Sequence, residues 1–189
     1  MYFLPERVSG FELAKEIMVL DSWNLVGVFG YMFLHADFVH LAGNMYLLWV
    51  FGNAMCSKIT GYAYIPLFIL FGVVAAGFHN LIDARPAVGA SGALFGVVGF
   101  YFALYPTNKI SCLWFMYSRA GTFEISAHLL VGFWVVQDIA GLFGAPSPIA
   151  HMAHISGFLV GLVVGYWLLI TGRIAMYDYD LKTLPDLIQ

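Results

Sequence analysis

The sequence predicts an all-α membrane protein, built as a bundle of about five transmembrane helices. Of its 189 residues, 61% are hydrophobic and only 10% are charged, whereas a soluble domain of average composition carries about 25% charged residues. The charged residues also fall in short stretches between long apolar runs. Such a chain cannot cover a surface that faces water, so we expect the lipid bilayer to surround most of it.

Five apolar runs approach the length that a helix needs to cross the hydrocarbon layer, about 17 to 25 residues. The breaks between the runs contain proline, glycine or charged residues, which interrupt apolar helices. The predicted spans are residues 40–56, 62–79, 91–105, 125–143 and 149–171.

Positive charges are distributed unevenly over the connections between the spans. One side carries Lys58, Lys109, Arg119, Arg173 and Lys182. The short connections on the other side carry only Arg85. Because loops rich in Lys and Arg stay in the cytoplasm, we expect the tail 173–189 to be cytoplasmic and the first, third and fifth spans to begin at the outer side.

The segment 1–34 precedes the first predicted span. It contains no signal-peptide pattern and no apolar run long enough to cross the membrane. Its apolar residues favour a location at the outer membrane surface; they are Phe11, Leu13, Ile17, Met18, Leu20 and the run 24–34. Since five crossings place the start of the chain outside, we expect a leading helix to be missing.

Polar side chains occur at the start of the first, third and fifth spans. They are His40 and Asn44, then Ser91, and finally His151 and His154. Because these three spans begin at the same side, their first residues share one depth, just inside the outer leaflet. Ionisable and amide side chains are unfavourable within a bilayer, so their convergence indicates a functional site.

The residue types at this depth suit hydrolysis of a peptide bond by a serine. Ser91 becomes nucleophilic if a neutral imidazole, such as that of His154, accepts its proton. The attacked carbonyl oxygen then becomes negative and needs hydrogen-bond donors. His40 and Asn44 lie four residues apart on one helix face, and with the backbone N–H of Ser91 they can supply such donors.

Glycines line the third and fifth spans at the spacing of small residues in packed membrane helices. They are Gly92, Gly96 and Gly99 in the third span and Gly157, Gly161 and Gly165 in the fifth. Small residues allow helix backbones to approach closely, so we expect these spans to pack together and to bring Ser91 to His154. Gly89 and Gly92 also leave room for a substrate backbone.

Three motifs occur on alternate spans. They are His40-Leu-Ala-Gly-Asn44, Gly89-Ala-Ser-Gly92 and Ala153-His-Ile-Ser-Gly157. Together they resemble the signature of the rhomboid family of intramembrane serine proteases, over about residues 23–171. The resemblance implies a Ser–His dyad of Ser91 and His154, an oxyanion hole of His40, Asn44 and Ser91, and no cofactor or metal. It also implies cleavage in or next to the transmembrane segments of other proteins.

The resemblance extends to supporting residues. Phe95 matches an aromatic residue that packs on the catalytic histidine, and His35 matches a histidine that precedes the first motif. His151, Gly89 and Gly92 are further supporting candidates. The family core has six helices, so residues 35–172 form a protease core without its first helix, and 1–34 are a remnant of the first outer loop. No Asp or Glu occupies the middle of a predicted span, which fits a dyad without a carboxylate.

Other functions are compatible with parts of the pattern. A rhomboid-like protein that binds transmembrane clients without cleaving them is the main alternative. A metal site of His35, His40, His151 and His154 lacks a thiolate or carboxylate ligand, and a transporter lacks an inverted repeat. The net charge of −3 and the absence of a basic run exclude nucleic acid as a partner. The short loops favour a bacterial inner membrane.

Overall fold

The protein is a helical bundle, and its computed structural model describes residues 16–21, 23–83, 85–145, 147–176 and 182–188. The helices are α1, Leu25–Gly30; α2, Phe38–Leu47; α3, Asn53–Cys56; α4, Gly61–Ile82; α5, Ser91–Leu104; α6, Ala127–Leu142; α7, His151–Ile170; and α8, Leu184–Ile188. A 3-10 turn, Tyr31–Phe33, follows α1, and a π-helical turn, Leu48–Gly52, joins α2 to α3. The predictions for Phe11, Leu13 and residues 177–181 lie outside the described residues.

The predicted helical membrane bundle is confirmed. The first predicted span corresponds to the continuous stretch of α2, the π-helical turn and α3, and each of the other four corresponds to one helix; all ends lie within one turn of the predicted ends. Helices α4 and α7 are each long and apolar enough to cross a membrane. Residues 25–33 and 38–56 pass the same test only as a pair, which is bent by 87°. Helices α5 and α6 are shorter apolar helices.

Helix α5 lies at the centre of the bundle, and nearly all of its side chains are buried. It packs against α4 on one side and against α7 on the other. On the α7 side, a β-carbon added at Gly157 or Gly161 would overlap the backbone carbonyl oxygens of Gly92 and Gly96. The two backbones are therefore in direct contact, and we call this contact between α5 and α7 the glycine seam.

Gly99 and Gly165 also make close contacts along the seam. A β-carbon at Gly99 would overlap the carbonyl oxygen of Phe158, and one at Gly165 would lie 3.0 Å from the β-carbon of Ala103. Gly96 also has a neighbour on its other side, because a β-carbon there would overlap Phe71 of α4. Helix α5 thus contacts the backbone of α7 on one side and the side chain of Phe71 on the other.

The connection between α5 and α6 is an antiparallel hairpin that the sequence analysis did not predict. Strand β1, Lys109–Met116, pairs with strand β2, Arg119–Ser126, and Lys109 lies opposite Ser126. The strands are rich in aromatic and β-branched residues, which favour extended backbone. The two-residue turn lacks the usual glycine, and Tyr117 adopts a φ of 55°, so the sequence carries no strong turn signal.

The described part of the segment predicted to be interfacial, residues 16–21 and 23–34, is docked on the bundle. Leu20 forms a short antiparallel bridge with Ala87 in the α4–α5 loop, with N···O distances of 3.0 and 2.8 Å. Leu20, Tyr31 and Met32 are buried, whereas Trp23 is exposed on the outward side of the segment. The segment therefore covers the end of the bundle at which α5 begins.

Candidate active site

Ser91 and His154 face each other across the end of the glycine seam. Ser91 is the first residue of α5, and His154 lies in the first turn of α7. The Oγ atom of Ser91 is 2.9 Å from Nε2 of His154, although the residues are 63 positions apart in sequence. This is the distance of a hydrogen bond between a nucleophile and its base.

The imidazole of His154 is held flat by Phe95, which lies one helical turn after Ser91. The two rings stack with their centroids 4.2 Å apart and their planes 3° from parallel. Because Phe95 is buried, its ring cannot turn freely, and it fixes the plane in which His154 reaches Ser91.

Asn44 supplies a candidate donor for a negatively charged oxygen. Its side chain points from α2 into the space beside Ser91 and Gly89, and only 4% of the residue is exposed. The Nδ2 atom is buried and has no hydrogen-bond partner among the described residues. A buried donor without an acceptor is unfavourable, so this amide is available to an acceptor that enters the site.

His40 lies one turn before Asn44 and presents its ring to the same space. Asp37 caps α2 by accepting a 2.8 Å hydrogen bond from the backbone N–H of His40. Nδ1 of His40 accepts a long hydrogen bond of 3.5 Å from the N–H of Ala36. This assignment leaves the proton on Nε2, which makes Nε2 a second donor in the site.

Gly89 forms the wall between His40 and Ser91. Its φ of 119° lies in the region that only glycine adopts without strain. A β-carbon at this position would lie 2.7 Å from the His40 ring. The N–H of Gly89 donates to the carbonyl of Tyr31, at 2.8 Å. Tyr31 in turn donates from its hydroxyl to the carbonyl of Gly72, also at 2.8 Å, so α4 and the docked segment together fix this loop.

His35 supports the site without approaching Ser91. Its ring packs edge-on against His40, with centroids 5.2 Å apart and an interplanar angle of 72°. Burial, and then the neighbouring His40, lower the pKa of His35. Its Nε2 atom is buried without a hydrogen-bond partner in the described parts of the chain.

The structure contains a carboxylate beside His154, whereas the sequence analysis expected none. Asp138 lies in the last turns of α6 and is only 5% exposed. Its Oδ1 and Oδ2 atoms are 3.1 and 3.2 Å from Nδ1 of His154. The signal in the sequence was an acidic residue inside an apolar run, which by default marks a functional position in a membrane helix.

His151 does not reach Ser91. Its Nδ1 atom is 2.6 Å from Oδ1 of Asp138, and its ring packs over Gly141 of α6. His151 therefore shares a carboxylate with His154 instead of contacting the nucleophile. In the part of the chain that the structure describes, no group of three or more His, Cys, Asp or Glu residues could hold a metal ion.

A cavity of about 950 Å³ extends from Ser91 toward the hairpin, between α2 and α6. His40, Asn44, Ser91 and His154 line its first part. Its remaining wall is apolar and aromatic, and includes Phe51, Trp134 and Leu113. The site thus combines a few polar groups at one end with a long apolar groove, which suits an extended apolar ligand.

Comparisons with known proteins identify the family of the chain. The Rhomboid domain family matches residues 22–171. The chain is 29% identical to the mitochondrial Rhomboid protein 1 of Saccharomyces cerevisiae, over 76% of this chain and 42% of that protein. It is 32% identical to the chloroplastic Rhomboid-like protein 11 of Arabidopsis thaliana, over 79% and 54%. It is 27% identical to the rhomboid protease GlpG of Yersinia pseudotuberculosis, over 78% and 49%. The chain spans about half the length of these relatives.

Proposed function

Because the chain belongs to the rhomboid family of multi-pass membrane proteins, we propose that it is an intramembrane serine endopeptidase. Its substrates are other membrane proteins, which it cleaves in or next to a transmembrane segment. The observation that carries the proposal is the 2.9 Å contact between Ser91 Oγ and His154 Nε2. The contact lies at the mouth of a cavity that also holds the unpartnered amide of Asn44.

The proposed reaction begins with attack of Ser91 Oγ on the carbonyl carbon of the scissile peptide. As the Oγ–C bond forms, the hydroxyl proton moves to Nε2 of His154. The carbonyl oxygen becomes negative and accepts hydrogen bonds from Asn44 Nδ2, His40 Nε2 and the backbone N–H of Ser91. The N–H of Ser91 suits this role because N–H groups in the first turn of a helix lack an intrahelical acceptor.

His154 then donates its proton to the leaving amine as the C–N bond breaks. The product is an acyl-enzyme on Ser91 and a new amino terminus. Water attacks the ester while His154 accepts its proton, and the carboxylic product leaves with Ser91 restored. The reaction needs no cofactor.

The shape of the cavity supports a substrate whose helix has locally unwound. A carbonyl within a helix is already hydrogen-bonded and is shielded by the surrounding chain. The apolar part of the cavity accommodates an apolar segment, and its polar end at Ser91 accommodates a bare peptide backbone. Gly89 allows the ring of His40 to lie close to that end, because a β-carbon there would be 2.7 Å from the ring.

The distribution of Lys and Arg supports an orientation in which Ser91 opens to the outer side and the C-terminus is cytoplasmic. The relatives named above come from a mitochondrion, a chloroplast and a bacterium. The expectation of a bacterial inner membrane therefore stays a prediction.

The test is cleavage of a fluorogenic transmembrane peptide by the purified chain in liposomes, with labelling of Ser91 by a fluorophosphonate as a second measurement. Wild-type protein is expected to cleave the peptide and to take up the label. Ser91→Ala and His154→Ala are expected to lose cleavage by about 10³-fold or more. A version with a leading transmembrane helix added tests whether such a helix is needed.

Cleavage that persists in Ser91→Ala contradicts the proposal. A folded wild-type protein that neither cleaves nor reacts, with or without the added helix, also contradicts it. Binding of the intact peptide in that case would favour the client-binding alternative.

A further inference from the structure

The carboxylate of Asp138 is a charged group in contact with His154 that the proposed reaction does not use. It is buried in α6, and its recorded partners are the Nδ1 atoms of His151, at 2.6 Å, and His154, at 3.1 and 3.2 Å. A buried carboxylate is strongly unfavourable unless it is paired and hydrogen-bonded. These contacts therefore need a structural or a chemical explanation.

The contacts determine where the proton sits on each imidazole. An ionised carboxylate accepts hydrogen bonds and cannot donate them. Both Nδ1 atoms must therefore carry a proton, and a neutral His154 then has an unprotonated Nε2. That atom faces the hydroxyl of Ser91, so the Asp138 contact selects the one neutral tautomer that can accept the serine proton.

The packing of α6 on α7 maintains this arrangement. A β-carbon at Gly141, one turn after Asp138, would overlap the ring of His151. The glycine allows α6 to approach closely enough for Asp138 to reach both histidines. His151 and His154 both contact Oδ1 of Asp138, and His154 also reaches Oδ2, so the carboxylate is held by two imidazoles.

The geometry points to Asp138 as the positioning residue of the catalytic base. It accepts a hydrogen bond from Nδ1–H of His154, selects the reactive tautomer, and stabilises the imidazolium that forms when Ser91 transfers its proton. Asp138 stays ionised throughout, and no proton moves to it. The inference rests on the proposed serine-protease function and extends the Ser–His pair to three groups.

The decisive variant is Asp138→Asn, which keeps the shape of the side chain and removes its charge. With a transmembrane substrate, kcat is expected to fall by about 10- to 10³-fold while KM changes little, because an amide can also donate to Nδ1 and stabilise the unreactive tautomer. The rate of fluorophosphonate labelling is expected to fall in parallel. Asp138→Glu, which restores a carboxylate, is expected to recover part of the loss.

The pH profile separates this role from a structural one. Loss of a neighbouring negative charge lowers the pKa of an imidazole, so the acidic limb of kcat/KM should move to lower pH in Asp138→Asn. The groups that face His154 are Ser91 from α5 and Asp138 from α6. On its own helix, His151 acts through Asp138, and Asp83 after α4 interacts electrostatically with His151. Gln137→Ala, at the adjacent exposed position of α6, is the matched control and should leave both limbs unchanged.

The position of the proton can also be read without turnover, by nitrogen-15 NMR of protein labelled at histidine. The wild type is expected to show His154 with a protonated Nδ1 and a bare Nε2, and Asp138→Asn is expected to lose this preference. A wild-type His154 protonated at Nε2 overturns the inference whether or not the protein cleaves peptides.

The remaining outcomes separate the two proposals. An active wild type with an Asp138→Asn variant of equal kcat and unshifted acidic limb overturns the role of Asp138 and leaves the protease intact. In a second outcome, the activity of Asp138→Asn falls only as far as its unfolding temperature does, and the acidic limb of kcat/KM does not shift. Asp138 then has a role in stability, and the inference is also overturned. An inert wild type contradicts the protease, and the NMR measurement still decides the role of Asp138.

Discussion

The two sides of helix α5 at the active site are built in opposite ways. Toward α7, the glycine seam brings backbone against backbone, with no side chain between Gly157 and the carbonyl of Gly92. Toward α2 and α6, large aromatic side chains such as Phe51 and Trp134 meet across a cavity of about 950 Å³. On one side of α5, the closed side, the backbone contacts that of α7, and the other side, the open side, borders this cavity.

One side of α5 therefore fixes the distances between side chains, and the other side leaves room for a ligand. Ser91 and His154 lie at the end of the glycine seam, where contacts between the backbones of α5 and α7 set their separation. They also line the cavity, together with Asn44 and His40, which reach the same point from α2. In the proposed reaction the seam thus holds the nucleophile and base, and the oxyanion donors come from the side on which a substrate enters.

The largest effect on the open side is expected from Asn44→Ala. Removal of one oxyanion donor typically lowers kcat by about 10²- to 10³-fold, and we expect this range with little change in KM. Steady-state cleavage of the transmembrane peptide measures both constants. Gly43→Ala is the control, because a β-carbon at Gly43 meets nothing within 4 Å. Equal kcat values for Asn44→Ala and Gly43→Ala would show that Asn44 does not contact the oxyanion.

The next effect concerns the closed side and compares two glycine-to-alanine changes. Gly161→Ala places a methyl group against the carbonyl oxygen of Gly96, and overpacking of this kind costs about 1–3 kcal/mol. Gly132→Ala on α6 adds the same atoms to open space and should change stability by less than about 1 kcal/mol. Denaturant titration in detergent compares the two variants. Equal unfolding midpoints for Gly161→Ala and Gly132→Ala would mean that the glycine seam accommodates an added methyl group without loss of stability.

The smallest effect is expected where aromatic rings meet across the cavity. The ring of Trp134 lies 6.0 Å from that of Phe51 and 6.3 Å from that of Phe95. Such pairs contribute about 0.5–1.5 kcal/mol. Trp134→Ala should therefore raise the population of the open cavity, relative to the closed one, by roughly 2- to 10-fold.

The expected readout for Trp134→Ala is a rise in kcat/KM of that size for a transmembrane substrate, because the substrate must pass between α2 and α6. Labelling of Ser91 by a small fluorophosphonate should change less, because a small reagent does not need the wide path. If Trp134→Ala changed both rates equally, Trp134 would act on the Ser91–His154 pair and not on entry of the substrate.

Most of the helix positions could be predicted from the sequence because the bilayer imposes a simple rule. Each apolar run must be long enough to cross, and each charged or proline-containing break must lie outside, so the ends of α4 and α7 follow from composition. The convergence of Asn44, Ser91 and His154 also followed, because alternate spans begin at the same side. These inferences depend only on the order and direction of helices.

Features that depend on rotation or on three-dimensional neighbours could not be predicted in the same way. Asp138 lies near the end of α6, and only the rotation of that helix about its axis decides whether it faces lipid, loop or His154. The hairpin of β1 and β2 depends on pairing between two segments whose connecting turn lacks the glycine that would have marked it. His151 resembled His154 in sequence, and only the position of α6 distinguishes their roles.

The hairpin also bears on the depth of Ser91 in the membrane. Among the described residues, β1 and β2 pair only with each other, so each strand has an open edge, and open edges do not occur in contact with hydrocarbon. The hydrocarbon layer must therefore end before the hairpin. Helix α5 has 14 residues and rises about 21 Å at 1.5 Å per residue. A layer about 30 Å thick thus extends roughly 9 Å past Ser91, so the proposed hydrolysis requires a water-filled well that reaches from the opposite surface down to the serine.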